Sequence, residues 1–214
     1  MSRKKQIRQH YEPRISPSRE NSDVLDWASS ASQQARFKVL VDNIDLAGKS
    51  ILDVGCGLGD LWEFLRSRNI QADYTGVDLL EKMVAAAQRR HPGGRFEQAD
   101  IFTENTMDGR CFDVVFCSGA FNLNLGNNLE FLPQAVMHMC RLSRQYVVFN
   151  LLHRRASAET HRYFYYDPAH VRQMLRSPQC DIRIIDDYLP NDFTVICRKP
   201  CPGGTSCPVC TNTA

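Results

Sequence analysis

Apolar residues along the chain occur with two different spacings. Short apolar runs, typical of buried strands, alternate with stretches whose apolar positions recur at helical spacing. The runs are KSILDV, YTGVDL, RFEQADIF, FDVVFC and YVVFNLL. Strands that alternate with helices are joined by right-handed crossovers, so the pattern predicts an α/β domain with a parallel sheet covered on both faces.

Two further features bracket this pattern. Before the first run, Phe37, Leu40, Val41 and Ile44 form one apolar stripe, which predicts a helix from about residue 30 to 44. After the last run, DIRIID and FTVICR are both strand-like and only YLPND and its neighbours separate them. A parallel crossover needs about a dozen residues, so these two strands should form an antiparallel hairpin at the end of the sheet.

The chain divides into three parts. Residues 1–28 are polar and broken by Pro13 and Pro17, which predicts an N-terminal arm without a core element. Residues 29–199 carry the α/β pattern, and residues 200–214 form a cysteine-rich tail. A dinucleotide dehydrogenase has parallel strands throughout, so the terminal hairpin counts against that class.

Composition narrows the class of protein. The 214 residues are 43% hydrophobic and 23% charged, enough for one domain with a sizeable core. The net charge of +2 shows no strongly basic surface, and the basic start MSRKKQIRQH is typical of a solvated arm, so we expect no nucleic-acid partner. No apolar stretch is typical of a signal peptide or a membrane span, and we expect a soluble, cytoplasmic protein.

The stretch ILDVGCGLGD joins the first strand to the helix that follows it. Gly55, Gly57 and Gly59 let backbone N–H groups approach a ligand at the helix N-terminus. The spacing departs from the dinucleotide pattern G-x-G-x-x-G, and Asp53 and Asp60 flank the loop. Two carboxylates disfavour a pyrophosphate and suit a ligand with an amino group and a sulfonium cation.

The string D-V-G-C-G-x-G at residues 53–59, and about 150 residues around it, resemble the class I S-adenosylmethionine-dependent methyltransferases. That resemblance implies their Rossmann-like fold, a seven-stranded mostly parallel sheet with a reversed last strand. It also implies that the glycine loop lies along the methionine and ribose of S-adenosylmethionine, with Asp53 near the amino group. The product would be S-adenosylhomocysteine.

The resemblance extends to the ends of the next strands. It implies that Asp78 binds the ribose hydroxyls and that Leu79 lies against the adenine. Asp100 would meet the adenine amino group, and the N–H of Ile101 a ring nitrogen. All four positions follow strand-like runs, whose carboxyl ends should face one crevice.

Three more positions are candidates for the cofactor site. Cys117 and Ser118 end the fourth strand, where the family uses a backbone carbonyl near the methionine amine. Arg36 and Gln33 lie three apart on one face of the first helix, and Arg36 is a candidate for the cofactor carboxylate. Plain solvation of that helix face explains both residues equally well.

Methyl transfer requires alignment, exclusion of water and, for a weak nucleophile, removal of a proton. His153 in NLLHRR is one candidate base, with Arg154 and Arg155 as partners for an acidic substrate; alternatively, all three are rim residues. Asn122 is a second candidate, or a turn residue. His10 and Tyr11 are candidates if the arm closes over the substrate, and otherwise belong to a disordered arm.

Two other groups have open interpretations. The aromatic run Tyr163 to Tyr166 forms either an acceptor wall or part of the core. Cys197, Cys201, Cys207 and Cys210 include a C-x2-C pair that suits zinc, but they match no common zinc module, which favours a flexible reduced tail or a redox pair. Five other cysteines are scattered as reduced, buried thiols usually are.

The sequence therefore favours a methyltransferase whose acceptor is a small molecule. The loop after the fourth strand lacks the N/D-P-P-Y/F string of enzymes that methylate DNA adenine or protein glutamine, which counts against those acceptors. The alternative is a scaffold or interaction protein that keeps the cofactor fold and makes contacts through its cysteine-rich tail.

Overall fold

The computed structural model describes residues 1–16, 18–103, 107, 109–156, 161–176 and 180–200. They form one seven-stranded sheet flanked by helices. The strands are β1 Ser50–Val54, β2 Asp73–Asp78, β3 Phe96–Gln98, β4 Phe112–Cys117, β5 Ser143–Leu152, β6 Asp181–Ile185 and β7 Asp192–Arg198. The helices are α1 Arg3–Tyr11, α2 Asn21–Leu25, α3 Ser30–Asn43, α4 Asp60–Ser67, α5 Glu81–Arg90, α6 Asn128–Leu142 and α7 Pro168–Met174.

The strand order across the sheet is β3-β2-β1-β4-β5-β7-β6. The first five strands are parallel, and β7 pairs antiparallel with both β5 and β6. The predicted parallel sheet with a terminal antiparallel hairpin is therefore confirmed. The hairpin closes so that β7 lies next to β5, and β6 forms the edge of the sheet.

Apolar side chains cover both faces of the sheet. On one face α6 packs through Leu132, Ala135 and Met139 against β4 and β5, whose side chains there are fully buried. On the other face α3 and α4 pack against β1 and β4. The predicted helix at residues 30 to 44 is observed as α3, which begins with a capping box between Ser29 and Ser32.

The N-terminal arm contains two helices and a 3-10 turn at Glu12–Arg14. The Ser2 hydroxyl accepts a hydrogen bond from the Lys5 N–H and starts α1. Val24 at the end of the arm is fully buried with Leu80 and Met83 of the domain. The arm was predicted to lack a core element because it is polar and broken by Pro13 and Pro17; that prediction is wrong, because the arm packs on the domain through a few large side chains.

Two sequence expectations concern membranes and the tail. Within the described ranges, no helix is both long and apolar enough to cross a bilayer. Cys197 lies in β7 and is 1% exposed, whereas Cys201, Cys207 and Cys210 fall outside the described residues. Among the described residues, no three His, Cys, Asp or Glu side chains are placed so that they could hold a metal ion, and the zinc alternative gains no support.

Candidate functional site

A cleft of about 390 Å³ opens at the carboxyl ends of β1, β2 and β4 and beside the loop that follows β3. This is the edge where parallel α/β sheets bind ligands. Of the predicted site residues, those that line it are Tyr11, Arg36, Asp53, Gly55, Gly57, Asp78, Leu79, Asp100, Ile101, Ser118 and Asn122. Residues separated by more than 100 positions in sequence therefore meet at one site.

The glycine loop between β1 and α4 has a left-handed backbone. At Gly57, with φ +57°, an added Cβ would lie 2.7 Å from Cδ2 of Leu25, so α2 packs closely on the loop. Gly59, with φ +84°, does not line the cleft, and its Cβ would lie 2.7 Å from the ring of Phe96. Gly59 therefore allows α4 to start against β3, and its cofactor contact stays a prediction.

Gly59→Ala should lower the free energy of unfolding by about 1–2 kcal/mol more than Gly126→Ala, because its methyl group overpacks Phe96 and His91. Gly126 is a matched control, since its φ is +85° and no atom lies within 4 Å of an added Cβ. Urea denaturation of both variants measures the difference. Equal losses would mean that the rings do not resist the methyl group.

Two carboxyls at the ends of β1 and β2 are linked to the protein framework. Asp53 is 3% exposed and accepts a hydrogen bond of 2.7 Å from the Tyr74 hydroxyl. Burial raises the pKa of Asp53 to about 7, and that of Asp78 to about 6. Asp78 accepts from the Gly57 N–H at 3.1 Å and the Leu80 N–H at 2.9 Å, so it fixes the glycine loop.

The third carboxyl follows β3. Asp100 is 7% exposed and accepts hydrogen bonds from the Phe102 N–H at 3.2 Å and from the Thr103 hydroxyl at 2.6 Å. These contacts form a turn that brings Ile101 to the cleft wall. Each carboxyl oxygen of Asp78 and Asp100 has a second lone pair for a ligand.

Arg36 is the buried cation of the cleft. It is 2% exposed, pairs through Nη2 with the fully buried Asp192, and lies with Cζ 4.2 Å from the Trp27 ring centroid. Its Nε and Nη1 are buried and have no hydrogen-bond partner within the described part of the chain. These two donors suit an oxyanion, because a buried charged donor without a partner is costly.

The end of β4 contributes further polar atoms. The Ser118 hydroxyl and the Asn122 carbonyl oxygen line the cleft and are buried, with no hydrogen-bond partner among the described residues. Cys117 is fully buried in the core and does not line the cleft itself. Burial raises the pKa of its thiol, so Cys117 remains protonated.

The N-terminal arm covers this cleft. Arg3, Ile7 and Tyr11 of α1 line it, and Arg3 lies over the Phe131 ring at 4.0 Å. Asp26, which follows α2 in a left-handed conformation, bonds with the Tyr163 hydroxyl at 2.5 Å and with His10 Nε2 at 2.7 Å. The arm is thus attached to both the aromatic run and the glycine loop.

His153 and its neighbours lie outside the cleft lining. The His153 ring packs edge-on against Phe193, and its Nδ1 accepts from the Arg155 N–H at 3.0 Å. Burial and Arg155 lower the pKa of His153. Arg154 pairs with Asp167 at 2.7 Å, and Arg155 donates to carbonyls of the hairpin turn. The geometry favours the rim alternative for all three.

The aromatic run Tyr163 to Tyr166 lies partly in the cleft wall and partly in the core, the two alternatives that the sequence left open. Tyr163 and Tyr165 line the cleft. Phe164 and Tyr166 belong to the core cluster, where Tyr166 is 1% exposed and donates to the Phe121 carbonyl at 3.1 Å. The split follows from the alternation of side chains along an extended segment.

Sequence reasoning missed several lining residues. Arg3, Leu25, Asp26 and Trp27 belong to the arm, and Asn191 to the hairpin turn. Trp27 is packed over Gly119, whose added Cβ would lie 2.4 Å from the indole. A tryptophan in an otherwise polar arm was the available signal, because a large apolar ring rarely lies in solvent.

The comparisons with known proteins all identify the same kind of protein. A family model described as Methyltransferase domain matches residues 51–145. A protein of Mycobacterium tuberculosis that carries a methyltransferase name is 32% identical over 157 residues, covering 70% of this chain and 93% of that protein. Trans-aconitate 2-methyltransferase of Methylobacterium nodulans is 33% identical over 124 residues, 57% of this chain and 44% of that enzyme. This chain therefore matches less than half of the second relative.

Solved structures share the fold. Magnesium protoporphyrin IX methyltransferase from Synechocystis, with S-adenosylhomocysteine bound, superposes with a TM-score of 0.67 at 17% identity. The match covers 92% of this chain and 99% of that one. At this identity the likeness concerns the fold alone.

Proposed function

The chain belongs to the class I S-adenosylmethionine-dependent methyltransferases, and from this premise we propose that its cleft aligns the cofactor with a small-molecule acceptor. One observation carries the proposal: Asp53, Asp78, Asp100 and the glycine loop, each at a strand end, line a single cleft. When bound, S-adenosylmethionine supplies a methyl group on a positively charged sulfur.

The described residues fit this cofactor. Two carboxyls, the buried Asp53 and the half-buried Asp78, have raised pKa values and would gain from a cationic amino group and from hydroxyl donors. We assign Asp53 to the amino group and Asp78 to the ribose hydroxyls. Leu79 and Ile101 provide apolar cleft wall for the adenine, beside the Asp100 carboxyl.

The methionine carboxylate is assigned to Arg36. Its Nε and Nη1 are buried donors without hydrogen-bond partners among the described residues, while Nη2 pairs with Asp192. Ser118, at the end of β4, has an unpartnered hydroxyl on the same cleft wall. The unpartnered donors of Arg36 and Ser118 thus match the carboxylate end of the methionine part.

We assign the acceptor to the space between the end of β4 and the arm. The residues that line the cleft there are Asn122, Trp27, Tyr11 and Tyr163. Burial and Asp26 raise the pKa of Tyr11, so this residue stays protonated and orients the acceptor by donating a hydrogen bond. Asn122 orients it through its buried carbonyl oxygen. Alignment and exclusion of water are the main contributions of this site.

The acceptor class rests on two kinds of support. The cleft is covered by the chain's own arm and has a volume of about 390 Å³, which suits a small molecule better than a nucleic acid. Relatives carry the names of methyltransferases for trans-aconitate and magnesium protoporphyrin IX. The six described cysteines are free, which agrees with a cytoplasmic location.

Methyl transfer is tested by incubating the purified chain with S-adenosylmethionine and pooled small metabolites and measuring S-adenosylhomocysteine. We expect product above a control without acceptor, and loss of that product in Asp53→Asn. A chain that binds the cofactor but yields no product with any pool would support the scaffold alternative. A thermal shift with nicotinamide nucleotides but not with S-adenosylmethionine would contradict the cofactor assignment.

Cofactor affinity should rise about tenfold from pH 6 to pH 8, because Asp53 must lose a proton to pair with the amino group. The free carboxyl has a pKa raised to about 7 by burial and by Asp78 and Asp60, against the hydrogen bond from Tyr74. Binding lowers that pKa, so a proton is released below pH 7. Calorimetry in buffers of different ionisation enthalpy measures the release. An identical affinity at both pH values would contradict the role of Asp53.

A further inference from the structure

Three cysteines meet at the end of the sheet opposite the cleft. Cys140 lies in the last turn of α6, Cys180 directly precedes β6, and Cys197 lies near the end of β7. The adjacent end of β5 is its first residue, Ser143, whereas the cleft opens at the carboxyl ends of the strands. This group has no part in the proposed methyl transfer.

The strand register places two of the thiols on one face. Ile182 of β6 lies directly opposite Cys197 of β7, so their side chains point to the same side of the sheet. Cys180 is two residues before Ile182 and points to that side as well. Cys180 and Cys197 are therefore diagonal neighbours on the face covered by α6.

Helix α6 brings the third thiol to this face. The Lys199 ammonium donates to the carbonyls of Cys140 and Ser143, at 3.1 and 2.7 Å, and so fixes the end of α6 against β7. Cys140 and Cys180 both pack against the core cluster that contains Cys197, and Cys180 is near enough to Cys140 to raise the pKa of the Cys140 thiol. Both are partly exposed, whereas Cys197 beneath them is 1% exposed.

We propose that Cys140 and Cys180 are a reversible modification site that forms an intramolecular disulfide by exchange with a small disulfide of the oxidised glutathione class. The two thiols are neighbours on elements that the sheet and the Lys199 hydrogen bonds hold in place. Disulfide sulfurs lie about 2 Å apart, so the side chains must rotate to bring the two sulfurs together.

The exchange balances without any other reactant. The thiolate of Cys180 attacks one sulfur of the small disulfide, forms a mixed disulfide and releases one thiolate. The thiolate of Cys140 then attacks the Cys180 sulfur, forms the intramolecular bond and releases the second thiolate. The two protons lost by the cysteines go to the released thiolates, and the small disulfide is reduced as the cysteine pair is oxidised.

The order of attack follows from the surroundings. Burial and the neighbouring Cys180 raise the pKa of Cys140 to about 12, so Cys140 is rarely a thiolate near neutral pH and we assign the first attack to Cys180. The groups that face the pair are the Lys199 ammonium, which lowers the pKa of Cys140, and the buried Cys197 thiol.

The bond would close a loop that contains β5, the cleft-lining Tyr163 and Tyr165, and α7. Cross-linking a loop of this length restrains the unfolded chain and should raise Tm by about 5–10 °C. Cofactor affinity should stay within about twofold of the reduced protein, because the pair lies at the other end of the sheet. The proposal thus stands or falls independently of the proposed function.

The experiment equilibrates the native full chain with buffers of reduced and oxidised glutathione and maps disulfides by tandem mass spectrometry. Trypsin places Cys111, Cys117 and Cys140 on one peptide, residues 111–141, and Cys180 on another, residues 177–183. We expect these peptides to be linked through Cys140 and Cys180, and separated again by excess reduced glutathione. Protein without this link, or linked through Cys197, would overturn the proposal.

Matched variants separate the pair from the other thiols. Cys111→Ser, and a chain with Cys201→Ser, Cys207→Ser and Cys210→Ser, should keep the link and the Tm increase. Cys140→Ser should instead trap Cys180 as a mixed disulfide with glutathione. Cys180→Ala, at a partly exposed position, should abolish both products and the Tm increase. Retention of the Tm increase in Cys180→Ala would contradict the assignment.

Discussion

Arg36→Met is expected to lower the free energy of unfolding by about 3–5 kcal/mol, because it leaves the Asp192 carboxyl buried without its cation. Asp192 is fully buried, and burial already raises its pKa to about 6 despite the nearby Arg36. Without the guanidinium that pKa should rise further, so the variant folds with a protonated Asp192. Urea denaturation at pH 7 measures the loss.

A second substitution separates the two roles of Arg36. Arg36→Met with Asp192→Leu should recover most of the lost stability, since a buried ion pair is often replaceable by apolar residues of similar size. Cofactor affinity should remain low in both variants, because the Nε and Nη1 donors are gone. If the double variant regained wild-type affinity, Arg36 would be a structural residue only.

Lys38→Met is the matched control on the same helix. Lys38 pairs with Asp42 at 2.5 Å, but its side chain is 59% exposed. Exposed pairs of this kind contribute about 0.3–0.5 kcal/mol. The same change of residue type two positions away should therefore leave both stability and cofactor affinity almost unchanged.

The site acids could be predicted because their placement depends on sheet geometry. Asp53, Asp78 and Asp100 each follow an apolar run, and the carboxyl ends of parallel strands meet at one edge. Once the strands are identified, the sequence therefore predicts which carboxyls lie at that edge. It does not reveal that Asp78 also holds the Gly57 N–H, which depends on the path of the loop.

Sheet geometry does not predict the surroundings of His153. It follows β5, a parallel strand, yet its side chain packs on Phe193 of the antiparallel β7. The His153 N–H bonds to the Asn191 carbonyl at 3.0 Å, so the hairpin turn occupies the space beyond the end of β5. The sequence predicted the hairpin but not that β7 would lie next to β5.

The contacts of the N-terminal arm with the cleft are also not predictable from the sequence pattern. Its contacts with the cleft come from isolated side chains, such as Arg3 over the Phe131 ring and Trp27 over Gly119. Periodicity cannot detect a segment that packs through single residues, because no repeated stripe exists. Tertiary contacts across more than 90 positions create this part of the site.

Asp78→Ala should weaken cofactor binding by about 1.5–3 kcal/mol, or roughly 10–150-fold in Kd, if Asp78 accepts hydrogen bonds from both ribose hydroxyls. The carboxylate also holds the Gly57 and Leu80 N–H groups, so the variant loosens the glycine loop as well. Calorimetry with S-adenosylhomocysteine measures the affinity.

Asp73→Ala is the control variant, because it removes the same negative charge from β2 at a position away from the cleft. Asp73 begins the same strand, is 68% exposed at its side chain and lies 3.6 Å from Arg95. It carries the same charge at the opposite end of β2, so its removal should leave Kd unchanged. A general loss of charge would weaken both variants, whereas a specific ribose contact weakens Asp78→Ala alone. Equal affinities in the two variants would therefore refute the ribose assignment.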